Sequence, residues 1–282
     1  MDAASQAHPS LAAEVLARSG SDWLAAVARR HSRRQFGATP VAAAELDAIE
    51  AVCSALRPYP DARVVLVRTP TLDVFTGAIG SYGKVRGAPH LLVFLGDERA
   101  DFADQHVGYT GEAAVLEATR LGLETCWVGG FFDAEKVARL VPLASGERAY
   151  AVSPLGHAVP ETGLVERAMR GMAGAHKRRT VAEIAPGAGP EWPAWALAAV
   201  ETARMAPSAV NRQPWRFRLD GDTLVVAKDN SRELPRVTKR LDCGIAMLHA
   251  ELGAFACDVV GQWTDLSGLD VARFDPSASA SR

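Results

Sequence analysis

The chain has 282 residues, of which 48% are hydrophobic and 23% are charged, so it can bury a substantial core; this excludes a disordered chain or a disulfide-stabilised mini-protein. The 31 basic and 33 acidic side chains leave a net charge of −2, which excludes a global positive field that concentrates nucleic acid or an anionic membrane. The four cysteines and seven histidines have no metal-ligand spacing, and we predict reduced thiols and no metal site.

The N-terminal residues lack the basic stretch and uninterrupted apolar core of a signal peptide. No segment reaches the 18 or so consecutive apolar residues that a membrane span requires. We therefore expect a soluble, cytoplasmic protein. The excess of arginine over lysine and the many alanines are typical of a high-GC bacterial genome.

Two helices are predicted near the start of the chain. Residues 1–20 are expected to form a leader, after which Ser21 and Asp22 can cap the first helix. The second helix is predicted at residues 39–56, because the Thr39-Pro40 pair can start a helix. The apolar face of the second helix, at helical spacing, consists of Leu46, Ile49, Val52, Cys53 and Leu56.

The remaining elements follow from helix caps, glycines and short apolar runs. Strands are predicted at residues 64–67, 91–95, 126–128, 149–152, 215–219 and 223–227, the last two forming a hairpin. Helices are predicted at residues 107–121, 133–141, 194–206 and 238–256. Residues 180–193, rich in Pro and Gly, are expected to be a connector and residues 275–282 a flexible tail.

The chain contains a faint internal similarity. Residues 121–130 and 252–261 both carry Leu-Gly followed by Cys, Val and Gly at the same spacing, 131 positions apart. We interpret this as two repeats, one of residues 21–179 and one of residues 180–274. The alternative is coincidence, since amphipathic helices that end in Leu-Gly are common.

A basic run, RRHSRR, occupies residues 29–34 at the predicted end of the first helix. Arginines at alternate positions with a hydroxyl between them can bind one phosphate, because guanidinium groups pair bidentately with oxyanions. A solvated helix end that complements the helix dipole is the alternative interpretation.

A polar loop, APSAVNRQPW, joins a predicted helix to an apolar strand at residues 206–215. Its prolines fix the backbone, while Ser208, Asn211 and Gln213 offer donors and acceptors suited to the edge of a heteroaromatic ring. A turn whose side chains bond only to the loop itself is the alternative. The particular order and length favour a functional site.

Two glycine-containing segments differ in what they predict. Gly129 and Gly130 follow an aromatic strand, where missing side chains let backbone amides approach a flat ligand. The loop of residues 77–83 lacks the dinucleotide-binding spacing. There is also no GxxxxGK[ST] and no GxSxG, which disfavours a P-loop enzyme or an α/β-hydrolase.

At these residues the sequence resembles the FMN-dependent nitroreductase family. Residues 30–36 (RHSRRQF) are similar to the family motif R-x-S-x-[RK]-x-F, and residues 207–215 (PSAVNRQPW) to P-S-[SA]-x-N-x-Q-P-W. Residues 122–131 resemble the segment that lies against the isoalloxazine ring, and residues 176–179 the basic K-x-R pair that holds the phosphate. The resemblance implies an α+β fold, a three-layer α/β/α sandwich with a mainly antiparallel central sheet and two pseudo-symmetric repeats.

The order of the motifs departs from the usual pattern. In ordinary members the P-S-x-x-N loop follows the first motif within a few tens of residues, whereas here it lies in the second repeat. The corresponding place in the first repeat, residues 56–60, lacks the motif. Ordinary members are homodimers that bind FMN between subunits, so the resemblance implies a monomeric pseudo-dimer, similar to members built from two fused halves, with one site retained and one lost.

The resemblance also implies residue roles. Arg30, Lys177 and Arg179 would hold the FMN phosphate, assisted by Ser32, and Arg34 would stabilise the negative charge of reduced flavin. The complete predicted cofactor site is Arg30, Ser32, Arg34, Gly129, Gly130, Lys177, Arg179, Pro207, Ser208, Ala209, Asn211 and Gln213. The two glycines would bond flavin N5 or O4, the residues from Pro207 onward would line the dimethylbenzene and ribityl side, and Lys84 is a candidate contact to the pyrimidine.

The implied function is an NAD(P)H oxidoreductase that passes hydride through flavin N5 to a small aromatic, quinone or enone-like acceptor. No catalytic side chain is predicted, because the flavin carries the chemistry. Three alternatives remain open at this point: a non-catalytic flavin-binding protein, a flavin-dependent dehydrogenase or oxidase of a biosynthetic intermediate, and a degenerate fold without flavin. The predicted partner is a small-molecule acceptor, with no nucleic acid and no membrane.

Overall fold

The computed structural model describes residues 7–9, 13–76, 84–159 and 177–278. Its helices are α1 (Ala13–Arg29), α2 (Ala43–Ala55), α3 (Ala103–Arg120), α4 (Ala134–Leu140), α5 (Val181–Ile184), α6 (Ala194–Ala203) and α7 (Lys239–Phe255). Its strands are β1 (Ala7–Pro9), β2 (Ala62–Val67), β3 (His90–Asp97), β4 (Glu124–Thr125), β5 (Glu147–Gly156), β6 (Trp215–Asp220), β7 (Thr223–Lys228), β8 (Val259–Asp265) and β9 (Asp270–Ala278). Within these residues no helix combines the length and apolarity needed to cross a bilayer.

The named strands form two antiparallel sheets, in the orders β2-β3-β5-β4 and β6-β7-β9-β8-β1. The α+β class and the antiparallel pairing are confirmed, but the expectation of one central sheet is wrong. Helix α3 packs on the first sheet, α7 packs on the second, and the two helices pack on each other. Each sheet buries one face against its own long helix, so the strands of the two halves form two separate sheets.

The two halves have the same topology. The strands and the long helix follow the chain order β2-β3-α3-β4-β5, with α4 between β4 and β5. The second half repeats this order as β6-β7-α7-β8-β9 without a counterpart of α4, and four strands of each sheet follow the same spatial order. This agreement supports a two-repeat organisation, whose boundary near residue 180 stays a prediction.

The two long helices cross at a pair of glycines. A Cβ on Gly108 would lie 2.1 Å from the carbonyl oxygen of Leu241, and a Cβ on Gly244 would lie 2.0 Å from that of Gln105. The two glycines are 136 positions apart, and so are the two carbonyl residues. The crossing is therefore reciprocal, and it requires glycine because any side chain would collide with backbone.

The internal similarity at 131 positions does not match this structural equivalence. Gly122 follows the end of α3 with a positive φ of 80°. Gly253 lies inside α7, where a Cβ would be 2.3 Å from the carbonyl oxygen of Ala198. One glycine ends a helix and the other permits close helix packing, so the two Leu-Gly pairs are not equivalent positions.

Both predicted chain ends need correction. Helix α1 begins at Ala13, so the proposed caps Ser21 and Asp22 lie inside it. A Cβ on Gly20 would meet the Phe255 ring at 2.6 Å, so tertiary packing against α7 extends the helix into the expected leader. At the other end β9 pairs with β8 as far as Ala278, so residues 275–278 of the expected tail are part of the sheet. Residues 1–6, 10–12 and 279–282 lie outside the described part of the chain.

Most internal predictions are confirmed, including α2, the 215–228 hairpin and α4, whose N-cap Asp133 accepts hydrogen bonds from two backbone amides. The strand predicted at 126–128 is displaced. Strand β4 ends at Thr125 because the amide of Cys126 donates to Ser153 Oγ rather than to a ladder carbonyl. The connector at 180–193 contains the short helix α5, capped by Thr180.

Candidate functional site

A buried arginine follows the end of α1. Arg30 is only 8% exposed, and its Nε has no hydrogen-bond partner among the described residues. Its nearest carboxylate oxygen belongs to Glu112 of α3, 4.0 Å from that Nε. Glu112 is fully buried and is bound more closely by Trp127 Nε1 at 2.7 Å and His249 Nε2 at 2.9 Å. The arginine is therefore held in the interior with hydrogen-bonding capacity left over.

The guanidinium group of Arg178 lies near those of both Arg30 and Arg204. The pKa of Arg178 is lowered to about 10, first by burial and then by the charges of Arg30 and Arg204. Arg204, at the end of α6, is paired with Glu201 at 2.8 Å. We refer to Arg30, Arg178 and Arg204 as the guanidinium cluster. A half-buried guanidinium beside two like charges marks a place where an anion would be stabilised.

The polar loop positions Arg178 through its amide side chains. Asn211 Nδ2 and Gln213 Nε2 donate to the carbonyl oxygen of Lys177 at 2.9 and 3.0 Å, and the amide of Arg179 donates to Gln213 Oε1 at 2.8 Å. Arg178 Nη1 donates to Asn211 Oδ1 at 3.1 Å. The loop from the second half thus fixes the 177–179 backbone and places the middle side chain beside Arg30.

This arrangement changes the assignment of the basic segment. Lys177 is exposed, and the Arg179 guanidinium lies 3.9 Å from Glu183 rather than in the guanidinium cluster. Resemblance to K-x-R predicts these outer two residues and not Arg178. The sequence shows three consecutive basic residues at 177–179, but a run of this kind does not indicate which of the side chains is buried. His176 lies outside the described residues.

The loop is strained and bonded to itself. Val210, Asn211 and Gln213 have positive φ values of 47°, 57° and 46°, a region that non-glycine residues rarely occupy. Ser208 Oγ accepts from the amide of Gln213 at 2.9 Å, and both Pro207 and Gln213 are buried. The side-chain amides of Asn211 and Gln213 therefore stabilise the loop and the 177–179 segment, and their contact with a ligand stays a prediction.

A buried carboxylate from α7 holds the same loop. Asp242 accepts from the amide of Ala209 at 3.0 Å and from Arg212 Nε at 2.6 Å. Burial raises the pKa of Asp242 to about 6, against the opposing effect of Arg212. Sequence analysis missed Asp242 because nothing local links an acidic residue in a long helix to a loop 30 residues earlier.

The basic run beyond Arg30 lies beside the segment that follows α3. Ser32 forms an isolated parallel bridge with Thr125. Burial raises the pKa of the Cys126 thiol, although Arg34, Ser32 and Arg30 each act to lower it. The structure thus brings the three predicted residues of the first motif to one place, around Cys126.

The halves also meet at the two glycines. A Cβ on Gly129 would lie 2.8 Å from Val237 Cγ2, so this position is glycine because a side chain from the second half fills the space. Gly129 therefore has a packing role, and the approach of a flat ligand to its backbone stays a prediction. At Gly130 the same methyl group would be 3.9 Å away, an ordinary contact. Arg236 Nη1 donates to the Gly130 carbonyl oxygen at 3.3 Å.

Lys84 lies in a different environment. Its Nζ pairs with Asp73 at 3.2 Å, beside a cavity of about 570 Å³ that both residues line with Arg86 and His90. The amide of Arg86 donates to the carbonyl oxygen of Arg34 at 2.8 Å, which connects this region to the first motif. The glycine loop at 77–83 lies outside the described residues, and the role of Lys84 stays a prediction.

Comparison with known proteins decides the family. Residues 22–254 match the family model described as "Putative TM nitroreductase". The chain belongs to this nitroreductase family. The family predicted from the motifs is confirmed, and the matched region contains all twelve predicted site residues.

One solved structure agrees with the fold of this chain. A Thermotoga maritima protein, itself described as a putative nitroreductase, is 22% identical over 89% of this chain and 92% of its own, with a TM-score of 0.56. A Bacteroides fragilis nitroreductase with bound FMN is 18% identical, covering 50% of this chain and 91% of its own, with a TM-score of 0.39. A Streptococcus pneumoniae nitroreductase family protein covers 57% and 98%, at 17% identity and a TM-score of 0.43. No curated protein matches the chain.

Proposed function

We propose that the protein binds one FMN per chain between its two halves and transfers electrons from NAD(P)H to a small aromatic, quinone or enone-like acceptor. The observation that carries the proposal is the guanidinium cluster. Arg30 has a buried Nε with no hydrogen-bond partner among the described residues, and burial together with the charges of Arg30 and Arg204 lowers the pKa of Arg178 to about 10. Family membership and the Bacteroides fragilis nitroreductase, which has FMN bound, support the choice of anion.

The residues present fit FMN at two points. A phosphate between Arg30 and Arg178 would satisfy hydrogen-bonding capacity and relieve repulsion within the guanidinium cluster. Gly130 leaves room where a side chain would stand, with only Val237 Cγ2 at 3.9 Å. When bound, FMN supplies two-electron hydride chemistry that no side chain here offers.

The chain's own residues would bind the FMN and orient it. Asn211 and Gln213 hold the segment that carries Arg178, and Asp242 holds the loop that carries those two amides. Arg34 contributes positive charge beside Cys126, where it would stabilise negative charge on a reduced ring. The result is a site assembled from both halves, whose geometry is fixed before the ligand arrives.

The opposite place in the fold is filled by protein groups, which supports one site rather than two. At the end of β8, Asp265 lies 3.0 Å from His106 Nε2, and Asp61 lies 2.8 Å from His106 Nδ1. Burial lowers the pKa of His106, but the hydrogen bonds to Asp265 and Asp61 raise it overall. Tyr59 stacks on the imidazole with 3.9 Å between ring centroids. These contacts fill the region with protein groups that bond to one another.

Anaerobic reduction tests the oxidoreductase proposal. The FMN-loaded protein is mixed with NADH or NADPH, and the visible flavin absorbance is followed before and after a nitroaromatic, a quinone or an enone is added. We expect bleaching by at least one nucleotide and recovery of the absorbance with at least one acceptor. Retained flavin that neither nucleotide bleaches would contradict the NAD(P)H proposal and favour a flavin-binding protein or an oxidase of another donor.

A further inference from the structure

The segment that links β7 to α7 is longer than its counterpart in the first half. It comprises residues 229–238, whereas residues 98–102 link β3 to α3. The longer link reaches across to the other half, where Val237 fills the space over Gly129 and Arg236 bonds to Gly130. The extra length therefore places second-half residues beside Gly129 and Gly130, two residues of the proposed site.

This link is anchored along its length. Lys239 Nζ donates to the Asp229 carbonyl oxygen at 2.8 Å and pairs with its carboxylate at 3.0 Å. The amide of Lys239 donates to Glu233 at 2.9 Å, and Arg212 Nη2 donates to the carbonyl oxygen of Val237 at 3.1 Å. Held in this way, the link has a defined conformation rather than that of a loose surface loop.

Arg236 is the unusual member of the link. Its φ of 68° is left-handed, a conformation that a non-glycine residue keeps only where its surroundings impose it. The side chain is exposed, and among the described residues no carboxylate lies within ion-pair distance of it. Other exposed arginines also lack carboxylates, but Arg236 is the one held against Gly130 by a hydrogen bond to that carbonyl oxygen.

We propose that Arg236 is a specificity-determining residue that binds an anionic group, a carboxylate or a phosphate, of the small molecule reacting at this site. The proposal rests on the proposed function and names the chemistry its substrate carries. A guanidinium has five N–H donors in a planar fork, and the bond to Gly130 uses one of them. The remaining donors can pair bidentately with an oxyanion, while the backbone contact keeps the group beside the reacting ring.

The anion can belong to the electron donor, as a dinucleotide phosphate, or to the acceptor, as a carboxylate. Two pairs of probes separate these sources. NADPH is compared with N-benzyl-dihydronicotinamide, which carries no phosphate, as donors in anaerobic bleaching. 4-Nitrobenzoate is compared with uncharged 4-nitrobenzamide as acceptors in reoxidation.

The variants are Arg236→Gln, which removes the charge, and Arg236→Lys, which keeps it. Arg232→Gln, at an exposed arginine of the same link, is the matched control. In one of the two probe pairs we expect Arg236→Gln to lower kcat/KM for the charged member by about tenfold or more, with the uncharged member within about twofold. Arg236→Lys should recover part of the loss and Arg232→Gln should change neither member. Equal effects on both members of each pair would overturn the proposal.

Calorimetry on the FMN-loaded protein gives a readout independent of turnover. The dissociation constant of NADP⁺ or of 4-nitrobenzoate should rise about tenfold or more in Arg236→Gln. If no donor bleaches the flavin, including the uncharged one, the proposed function fails while calorimetry still tests Arg236. If both anions bind wild type and Arg236→Gln equally, or bind neither, the role of Arg236 is refuted while bleaching still tests the oxidoreductase.

Discussion

Replacing Arg178 with Gln should move flavin affinity and apoprotein stability in opposite directions. The pKa of Arg178 is lowered from an ordinary value of 12.5 to about 10 by burial, Arg30 and Arg204, which corresponds to about 3 kcal/mol of unfavourable interaction in the folded protein. Because the side chain is only partly buried, screening by solvent reduces this to roughly 1–2 kcal/mol. Glutamine keeps an amide that can still donate to Asn211, so the apoprotein should be stabilised by about 1 kcal/mol.

The same substitution removes a charge-assisted contact to the phosphate, worth about 1.5–3 kcal/mol, or roughly 10- to 100-fold in FMN affinity. Urea unfolding of the apoprotein and fluorescence titration with FMN measure the two effects. Arg179→Gln is the matched control, because that side chain faces Glu183 rather than the guanidinium cluster, and it should change FMN affinity by less than about threefold. Unchanged FMN affinity in Arg178→Gln, together with a large loss in Arg179→Gln, would refute this assignment of the phosphate site.

Three further predictions concern the glycines and the buried aspartate. Gly130→Ala should weaken FMN binding with little change in thermal stability, because among the described residues its Cβ would meet only the Val237 methyl group at 3.9 Å. Gly129→Ala should lower the melting temperature, because its Cβ would lie 2.8 Å from Val237. Gly244→Ala places a Cβ 2.0 Å from a backbone carbonyl oxygen of α3 and should cost about 2–4 kcal/mol by urea unfolding; a wild-type midpoint would contradict the helix crossing. The folded pKa of Asp242, about 6, lies above its ordinary value of 3.8, so its stabilising contribution is full below about pH 4 and is lost as pH rises to 6. Wild-type stability should therefore fall by up to about 3 kcal/mol more than that of Asp242→Asn between pH 4 and 7, and parallel pH profiles would refute the shift.

Elements fixed by local interactions could be predicted from sequence. The apolar spacing in α2 places Leu46 and Ile49 in the core, as the structure has them. Asp133 caps α4 through its own carboxylate, and Gly221 turns the β6-β7 hairpin with a φ of 59°. Each of these depends on residues within a few positions, so the pattern contains the cause.

Features set by distant contacts could not be predicted. The extension of α1 depends on Gly20 packing against Phe255, more than 200 residues later. The division of the strands into two sheets depends on the α3-α7 crossing, which the sequence shows only as two unremarkable glycines in helices. A sequence pattern gives the elements, but the partner of a buried face comes from the tertiary fold.

In the candidate site, too, features that depend on local sequence were predicted and features that depend on distant contacts were not. The two motifs predicted Arg30 and the polar loop as parts of one site, and the structure links them through Arg178, which bonds to Asn211 and lies near Arg30. The choice of Arg178 over Lys177 and Arg179 depends on hydrogen bonds from Asn211 and Gln213 more than 30 residues away. Identifying which basic side chain points inward therefore required the structure.

The central claim is a single FMN site made by both halves of one chain. It is tested most directly by counting flavin: the purified protein is saturated with FMN, desalted, and its flavin absorbance is compared with its protein concentration and its mass in solution. The account predicts one FMN retained per chain, with retention lost in an Arg30→Ala, Arg178→Gln double variant. Two FMN per chain, or retention that survives loss of both arginines, would contradict it.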